Sequence, residues 1–158
     1  MNSLKNHFLI SVPHLKDPLF EKSVIYLCEH DNKGAMGLII NKVINKNSIT
    51  FKNSISDNEL NKYLRENYLY IGGPVLTDRI LLLHTNNKIR KSVRINDEIS
   101  ISGNIELLTS IQKLKDVKSK LFLGHSGWSR GQLEREIENG DWLIQKSRTD
   151  LIFEQQID

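Results

Sequence analysis

The sequence predicts an α+β fold, organised as one compact domain with a mixed, largely antiparallel central sheet and packed helices. Three observations indicate this class. The length of 158 residues suits one domain with its own hydrophobic core. Segments of strand character come mostly in runs, with helices interspersed, and not in regular strand–helix alternation. No internal repeat, linker or shift in composition marks a boundary, so residues 1–158 are expected to form a single domain.

The first elements are predicted to be strands with one hairpin. "NHFLISVP" predicts a strand that Pro13 ends, and in "KDPLF" Asp17 can cap a short helical turn. "SVIYLCEH" and "AMGLIINK" are rich in β-branched and apolar residues and flank "DNKG", where Gly34 suits a hairpin loop of three to five residues. Gly37 inside the second strand indicates a bulge or a close backbone approach.

The middle of the chain is predicted to alternate between helices and strands after a polar loop over 45–56. Ser56 with Glu59 fits a capping box, and Ile55 with Leu60 fits a hydrophobic staple, so "ISDNELNKYLRENY" should be a helix. "YLYIGGPV" predicts a strand, "RILLLHT" a strand buried on both faces, and "IRKSVRI" and "EISIS" shorter strands. "NIELLTSIQKL" has one broad apolar face and predicts a helix.

The stretch "LFLGHSGWSRGQLEREIENGDWL" predicts a strand, a tight turn and then a helix. Ser129 with Gln132 fits a capping box, and Trp128 with Leu133 fits the staple across that cap. Gly140 is a suitable left-handed terminator. "DWLIQ" and "DLIFE" are expected to close the chain as extended segments.

Composition excludes several classes of function. The net charge of +3 is mildly basic, far from the excess of a dedicated nucleic-acid binder. The basic group Lys88, Arg90, Lys91 and Arg94 is interpreted as a solvated strand face, with a phosphate-binding patch as the alternative. No apolar run is long enough for a membrane span, and the N-terminus lacks the pattern of a signal peptide. Cys28 is the only cysteine, which fits a reducing cytoplasm and a small buried apolar group.

A serine hydrolase is the enzyme class to test, because Ser126 lies between a predicted strand and a predicted helix. A nucleophile elbow needs Gly-x-Ser-x-Gly, whereas Trp128 stands at the second glycine position. His125 is adjacent in sequence to Ser126, and adjacent side chains in an extended turn point apart. The sequence therefore disfavours a hydrolase that uses Ser126 and His125.

An anion site is a further hypothesis for the same stretch. Arg130 would lie in the first helical turn, where the helix dipole disfavours positive charge. Pairing with Glu134, four residues later, can offset that cost. In the alternative, Arg130 and the free backbone N–H groups bind a phosphate or a carboxylate, with His125 and Ser126 as added donors.

Metal and cofactor chemistry is not expected. Glu29 and His30 follow each other in a strand, and strand alternation sends them to opposite faces, so they do not form a ligand pair. The histidines have no ligand spacing, and the glycine-rich nucleotide signatures are missing. Asn41 is most simply a turn residue. The prediction is no metal and no cofactor.

Four motifs, taken together, resemble the AlgH/YqgE family of bacterial proteins. They are "FLISVPHLKDPLFEKSVIYLCEH", "GAMGLIINK", "YIGGPV" and "LGHSGWSRGQLEREIENGDWL", in this order, and the resemblance covers about residues 6–153. The resemblance implies a compact α+β fold with a central sheet and a cytoplasmic protein without an established biochemical activity. Some members carry the label of a transcriptional regulator, which did not come from a shown DNA-binding module.

This chain departs from the family's usual pattern in two places. The family's usual Gly-Tyr-Ala-Gly-Trp segment is Gly124-His125-Ser126-Gly127-Trp128 in this chain, and alanine at the serine position opposes a family-wide serine nucleophile. Family members continue with a further C-terminal segment after the position of "LIFEQQID", so the domain is expected to lack it.

Carried over position by position, the motif residues are mostly glycines, apolar residues and caps, as expected of a fold signature. They are Asp17, Pro18, Phe20, Glu29, His30, Gly34, Gly37, Asn41, Gly73, Pro74, Gly127, Trp128, Gln132, Leu133 and Glu134. The polar minority is Glu29, His30, Asn41 and Gln132. If the hairpin and the helix start are neighbours, these four are expected to line a shared cleft.

The leading functional hypothesis is a non-enzymatic cytoplasmic protein that binds a small anionic ligand or a protein partner and acts in regulation. A nucleic-acid-associated transcriptional regulator is the alternative, and a hydrolase ranks third. The predicted ligand-binding residues are Glu29, His30, Asn41, His125, Ser126, Arg130 and Gln132.

Overall fold

The computed structural model describes residues 2–13, 15–45, 57–86, 91–104 and 106–154. Within these ranges the strands are β1 (His7–Ser11), β2 (Val24–Asp31), β3 (Gly34–Ile39), β4 (Val43–Ile44), β5 (Leu69–Ile71), β6 (Val75–His84), β7 (Val93–Arg94), β8 (Ser100–Ser102), β9 (Ser119–Ser129) and β10 (Trp142–Lys146). The helices are α1 (Asp57–Glu66), α2 (Leu107–Gln112), α3 (Gln132–Glu138) and α4 (Thr149–Phe153). This content agrees with the predicted α+β class.

One curled sheet organises the chain. Its main path runs β10-β1-β2-β3-β9-β6-β8-β7, and β5 attaches to β9 and carries β4. The β5–β9 pair is parallel and the other pairs are antiparallel. The sheet is therefore mixed and largely antiparallel, as predicted. Strand β9 is central, because it pairs with β3, β5 and β6.

The predicted hairpin joins β2 to β3, and its loop is shorter than expected. Asn32 and Lys33 alone connect the strands, and Gly34 has a φ of 144°. The predicted irregularity at Gly37 is confirmed by a register shift between Leu27 and Glu29 on the partner strand. A Cβ on Gly37 would lie 2.7 Å from Ile25 Cγ2, so the backbone approach there needs glycine.

Strand β9 corrects the prediction of a strand–turn–helix at Gly124–Ser129. The strand continues through all of these residues, because β3 pairs with the segment from Ser126 to Ser129. Gly124 takes a φ of 72° and kinks the strand without ending it. A Cβ there would lie 2.5 Å from Gly73 O. Pairing across the sheet outweighs the local turn signal of two glycines.

Helix α3 begins later than predicted. Its N-cap is Gly131, with a φ of 76°, and Ser129 belongs to the strand. Gln132 Oε1 still accepts a hydrogen bond from Ser129 N at 3.0 Å, so one half of the expected box forms across the strand–helix junction. Gly140, with a φ of 81°, follows the C-cap as predicted.

The structure corrects two further predictions, one near the end of the chain and one in the turn after β1. "DLIFE" is not extended, because it contains α4 and Ile152 packs fully buried in the core. Asp17 caps a turn, accepting from Leu19 N at 2.9 Å and Phe20 N at 3.2 Å, but no helix continues from it. The expected cap at Ile55 and Ser56 lies outside the described residues, as do Lys88 and Arg90.

The two faces of the sheet bury different partners. Leu9, Ile25 and Ile39 are cross-strand neighbours, and on their face Leu133 of α3 completes a core with the two tryptophans. Phe8, Tyr26 and Leu38 point to the opposite face, where Ile152 of α4 packs. Helix α3 is thereby held above the β9–β3–β2 part of the sheet. None of the described helices is both long and apolar enough to cross a membrane.

Candidate functional site

A cavity of about 250 Å³ lies where the end of β9, helix α3, the start of β10 and the turn after β1 meet. We call it the aromatic–acidic cavity. Its lining residues are Leu15, Asp17, Phe20, Gly127, Trp128, Gln132, Glu136, Asp141 and Trp142. Three other depressions, of about 280 to 380 Å³, are lined mainly by polar residues and are more open to solvent. The aromatic–acidic cavity is smaller and more enclosed than these three.

The carboxylate of Glu136 holds the two tryptophans of the chain in place. Its Oε1 accepts from Trp128 Nε1 at 3.0 Å and from Trp142 Nε1 at 2.9 Å. Its Oε2 accepts from Gln132 Nε2 at 2.9 Å. Gln132 and Glu136 are four residues apart on α3 and so share one face. Three N–H donors on one carboxylate give both indole rings a fixed orientation.

The aromatic rings of the cavity stand nearly perpendicular to one another. Trp128 and Trp142 have ring centroids 6.3 Å apart at 77°, and Phe20 meets Trp142 at 6.0 Å and 86°. Such edge-to-face pairs are favourable for aromatic rings. Phe20 is positioned by the turn that Asp17 caps, so sequence-local hydrogen bonds set one wall of the cavity.

The charged side chains that line the cavity are all acidic. They are Asp17, Glu136 and Asp141, and no lysine, arginine or histidine is among the described lining residues. Gln132 is the one residue of this lining that the sequence also predicted to bind a ligand. The cavity therefore combines negative charge with aromatic rings, which is the chemistry of a site for a cation.

His30 lies against α3, and its hydrogen bonds there stabilise the fold. Its Nε2 lies 3.1 Å from Glu134 Oε1, and its Nδ1 accepts from Leu4 N at 2.8 Å. Those two bonds fix the tautomer that carries hydrogen on Nε2. Glu134, which the sequence predicted to pair with Arg130, pairs with His30 instead. The tertiary contact across the sheet replaces the local pair along the helix.

The shared cleft of Glu29, His30, Asn41 and Gln132 does not form as one cavity. Glu29 is exposed, whereas its neighbour His30 is buried, as alternation along β2 requires. Asn41 lies beyond the other end of β3, where its Oδ1 accepts from Val24 N and its Nδ2 donates to Lys22 O. Of the four, Gln132 alone lines the aromatic–acidic cavity.

Ser126 and His125 point away from each other along β9. Ser126 is 1% exposed, and its hydroxyl donates to Gly72 O at 3.0 Å. His125 is half-buried; burial lowers the pKa of its imidazole, and Glu29 opposes that shift. The hydroxyl that a nucleophile would need is thus bound to a backbone carbonyl inside the sheet.

Arg130 is exposed between β9 and α3, ahead of the helix and outside the residues that line the cavity. The predicted anion site required Arg130 in the first helical turn. Because the helix starts at Gln132, that arrangement does not form as predicted. Cys28 is buried, and burial raises the pKa of its thiol, in keeping with its interpretation as a small core group.

A buried lysine lies at the other end of β9. Lys120 is 3% exposed, and its ammonium donates to Ile40 O at 2.7 Å, Ile152 O at 3.0 Å and Glu154 O at 3.0 Å. It also lies 4.0 Å from the centroid of the Tyr70 ring. Burial lowers the pKa of Lys120 to about 7, and Glu154 opposes that shift. These contacts tie α4 to the sheet and occupy all three donors of the ammonium.

Sequence reasoning missed most of the residues around the cavity. Trp142 was assigned to an extended segment and Asp17 to a cap, and Glu136 was given no role. One signal was available: both tryptophans of the chain flank an acidic helix, at positions 128 and 142. In the described part of the chain, no group of three or more His, Cys, Asp or Glu side chains is placed to hold a metal ion.

Comparison with known proteins gives consistent matches over nearly the whole chain. A family model described as AlgH-like matches residues 8–158. A UPF0301 protein from Marinomonas sp. (strain MWYL1) is 42% identical over 154 residues, 96% of this chain and 82% of the relative. A UPF0301 protein from Buchnera aphidicola subsp. Baizongia pistaciae (strain Bp) is 44% identical over 156 residues, with the same two coverages.

Two solved structures share the fold. The solution structure of the AlgH protein from Pseudomonas aeruginosa matches with a TM-score of 0.75 and 31% identity, over 99% of this chain and 86% of that one. A crystal structure of a protein from Corynebacterium diphtheriae matches with a TM-score of 0.73 over 95% of this chain and 79% of that one. The second match has 22% identity and concerns the fold alone.

Proposed function

This chain belongs to the AlgH-like family, and we propose that it is a non-enzymatic binding protein of the cytoplasm that acts in regulation by binding a positively charged group. The observation that carries the proposal is the aromatic–acidic cavity, where three carboxylates and three aromatic rings surround one space. The ligand class is an organic cation, such as an alkylammonium group, presented by a small molecule or by a protein partner.

The acidic charges and the aromatic side chains of the lining both favour a cation in this space. A cation against the face of an indole or phenyl ring gains about 0.5 to 2 kcal/mol. Two unit charges 4 Å apart attract by about 4 kcal/mol at the effective dielectric constant near a protein surface. Glu136 keeps its carboxylate in place through the two indole N–H groups, so the ligand does not have to order it.

The same charges oppose the anionic ligand that the sequence first suggested. Phosphate or a carboxylate would face Asp17, Glu136 and Asp141, and Arg130 is not in the lining to offset them. The hydrolase hypothesis is opposed by Ser126, whose hydroxyl is buried against Gly72 O. The nucleic-acid hypothesis stays a prediction, with part of its basic group outside the described residues.

The test uses the two tryptophans as reporters, because both line the cavity and the chain has no others. We expect n-butylamine to shift both indole N–H signals in ¹H–¹⁵N spectra and to change the intrinsic fluorescence. Glu136→Gln should weaken n-butylamine binding about tenfold, equivalent to about 1.4 kcal/mol. Glu138→Gln is the matched control, because Glu138 is exposed on the same helix and does not line the cavity.

Butyrate, inorganic phosphate and n-butanol complete the titration, since they test an anion and a neutral chain of similar size. None of them should shift the indole signals. If phosphate or butyrate shifts them and n-butylamine does not, the site takes an anion and the proposal is wrong. Equal binding of n-butylamine and n-butanol would show that charge plays no part.

A further inference from the structure

The outer edge of β10, beside the cavity, pairs with none of the described strands. Strand β10 ends the main path of the sheet, with β1 as its one partner among the described strands. Its residues after Trp142 are exposed, including Leu143 at 59% and Ile144 at 41%. An exposed edge strand with apolar side chains is a template for a further strand.

The register shows which backbone groups face outward. Val12 N donates to Asp141 O, and the β1–β10 register continues from that pair to Ile10 with Leu143. In an antiparallel ladder, hydrogen-bonded pairs alternate along the strand, so Leu143 and Gln145 turn their backbone groups toward β1. Those of Trp142, Ile144 and Lys146 therefore point away from the sheet, and no described residue is shown bonded to them.

The same three residues also share a face. Ile144 is the cross-strand partner of Leu9, and Leu9 packs in one core cluster with Trp142. Trp142, Ile144 and Lys146 alternate along β10, so their side chains point to the face on which α3 lies. An added strand would place alternate side chains beside an indole at the acidic cavity, an exposed isoleucine and a lysine.

We infer that this edge binds an extended peptide segment of a partner protein, which adds to β10 and presents a basic side chain to the aromatic–acidic cavity. The inference rests on the proposed function. Complementarity fixes the pattern: a lysine opposite Trp142, an apolar residue opposite Ile144 and an acidic residue opposite Lys146. In antiparallel addition these positions read acidic-x-apolar-x-basic along the partner.

The probe is the capped peptide acetyl-Thr-Glu-Thr-Val-Thr-Lys-Thr-amide, titrated against the whole chain by the indole signals. We expect it to bind at least tenfold more tightly than n-butylamine. Replacing its lysine by glutamine should weaken binding at least tenfold. N-methylation of the valine amide should do the same, because that N–H meets Ile144 O, whereas N-methylation of the threonine after valine removes an N–H that faces solvent and should change affinity less than twofold.

A variant of the protein tests the edge directly. Ile144→Pro removes an outward N–H and leaves the N–H groups that pair with β1, which is where proline is tolerated in an edge strand. The variant should bind the peptide at least tenfold more weakly, and its affinity for n-butylamine should change by less than twofold. The N-methylated peptides test the same hydrogen bond on the unaltered protein, should the variant fold poorly.

The outcomes separate this inference from the proposed function. If n-butylamine binds and the peptide binds no more tightly, the edge does not take a strand, while the cavity proposal stands. If the peptide binds and its glutamine form binds equally well, the edge takes a strand without using the cavity, and the inference is overturned. If neither probe binds, both proposals fail.

Discussion

Strand β9 has polar groups at both ends. The group at one end is buried and hydrogen-bonded within the protein, whereas the group at the other end lines a cavity. Near its start, Lys120 is sealed under α4, with its three donors used by three backbone carbonyls. At its far end, the Trp128 N–H meets Glu136 in the wall of an open cavity. Ser126, between them, is sealed like the lysine.

The difference shows how a buried polar group can be assigned to folding or to binding. A charge whose hydrogen-bonding capacity is used up and which solvent does not reach stabilises one arrangement of the chain. A carboxylate that is held by two indoles and still borders empty space can also act on a ligand. Residue type alone does not separate the two cases. Lysine and serine are chemically more reactive than a carboxylate or an indole, and yet Lys120 and Ser126 are the residues assigned to folding.

The sealed end should show the largest effect on stability. Lys120→Met keeps much of the side-chain volume but takes the donor away from three carbonyl oxygens, and the contacts to Ile40 O and Ile152 O are buried. We therefore expect a loss of about 3 kcal/mol in the free energy of unfolding. Chemical denaturation measures it. Lys118→Met is the control, because Lys118 is exposed two residues earlier, and it should change stability by less than about 0.5 kcal/mol. Equal losses of stability in Lys120→Met and Lys118→Met would contradict a structural role for the buried lysine.

The pH dependence sharpens the same contrast. The folded pKa of Lys120 is lowered to about 7, below its ordinary value of 10.5, so the unfolded chain binds more protons between these pH values. The contribution of Lys120 to stability should therefore rise from pH 7 to pH 10 and be lost as pH falls through 7. Subtracting the unfolding free energies of Lys120→Met from those of the wild type isolates this contribution. A difference that is flat or falls over this range would contradict the assignment.

Ser126→Ala should have the smallest effect. The hydroxyl donates one hydrogen bond, and its acceptor Gly72 O also accepts from Ile39 N at 2.9 Å, so the carbonyl stays satisfied. We expect a loss of no more than about 1 kcal/mol, read from the denaturation midpoint. Ester and phosphate substrates should be hydrolysed no differently by the variant. A rate that falls with the serine would return Ser126 to the catalytic candidates.

The candidate site was only partly predictable from sequence, for a definite reason. The cap at Asp17 and the terminator at Gly140 depend on residues close in the chain, and both were predicted correctly. The partner of Glu134 was predicted wrongly, because His30 is 104 positions away and arrives through β2. Glu136 drew no attention, because its role depends on two indoles that meet only after α3 and β10 pack together.

The sequence by itself determined the class of fold, the hairpin at Gly34, most strands and helices, and the resemblance to a family. These follow from periodicity, turn residues and caps, which act over a few positions. Tertiary structure alone decided that β9 continues through Gly124 and Ser126, that Lys120 is sealed, and that three acids and three rings surround one cavity. Pairing between distant strands supplies more hydrogen bonds and buried surface than a local turn can, and so it overrides the local signal.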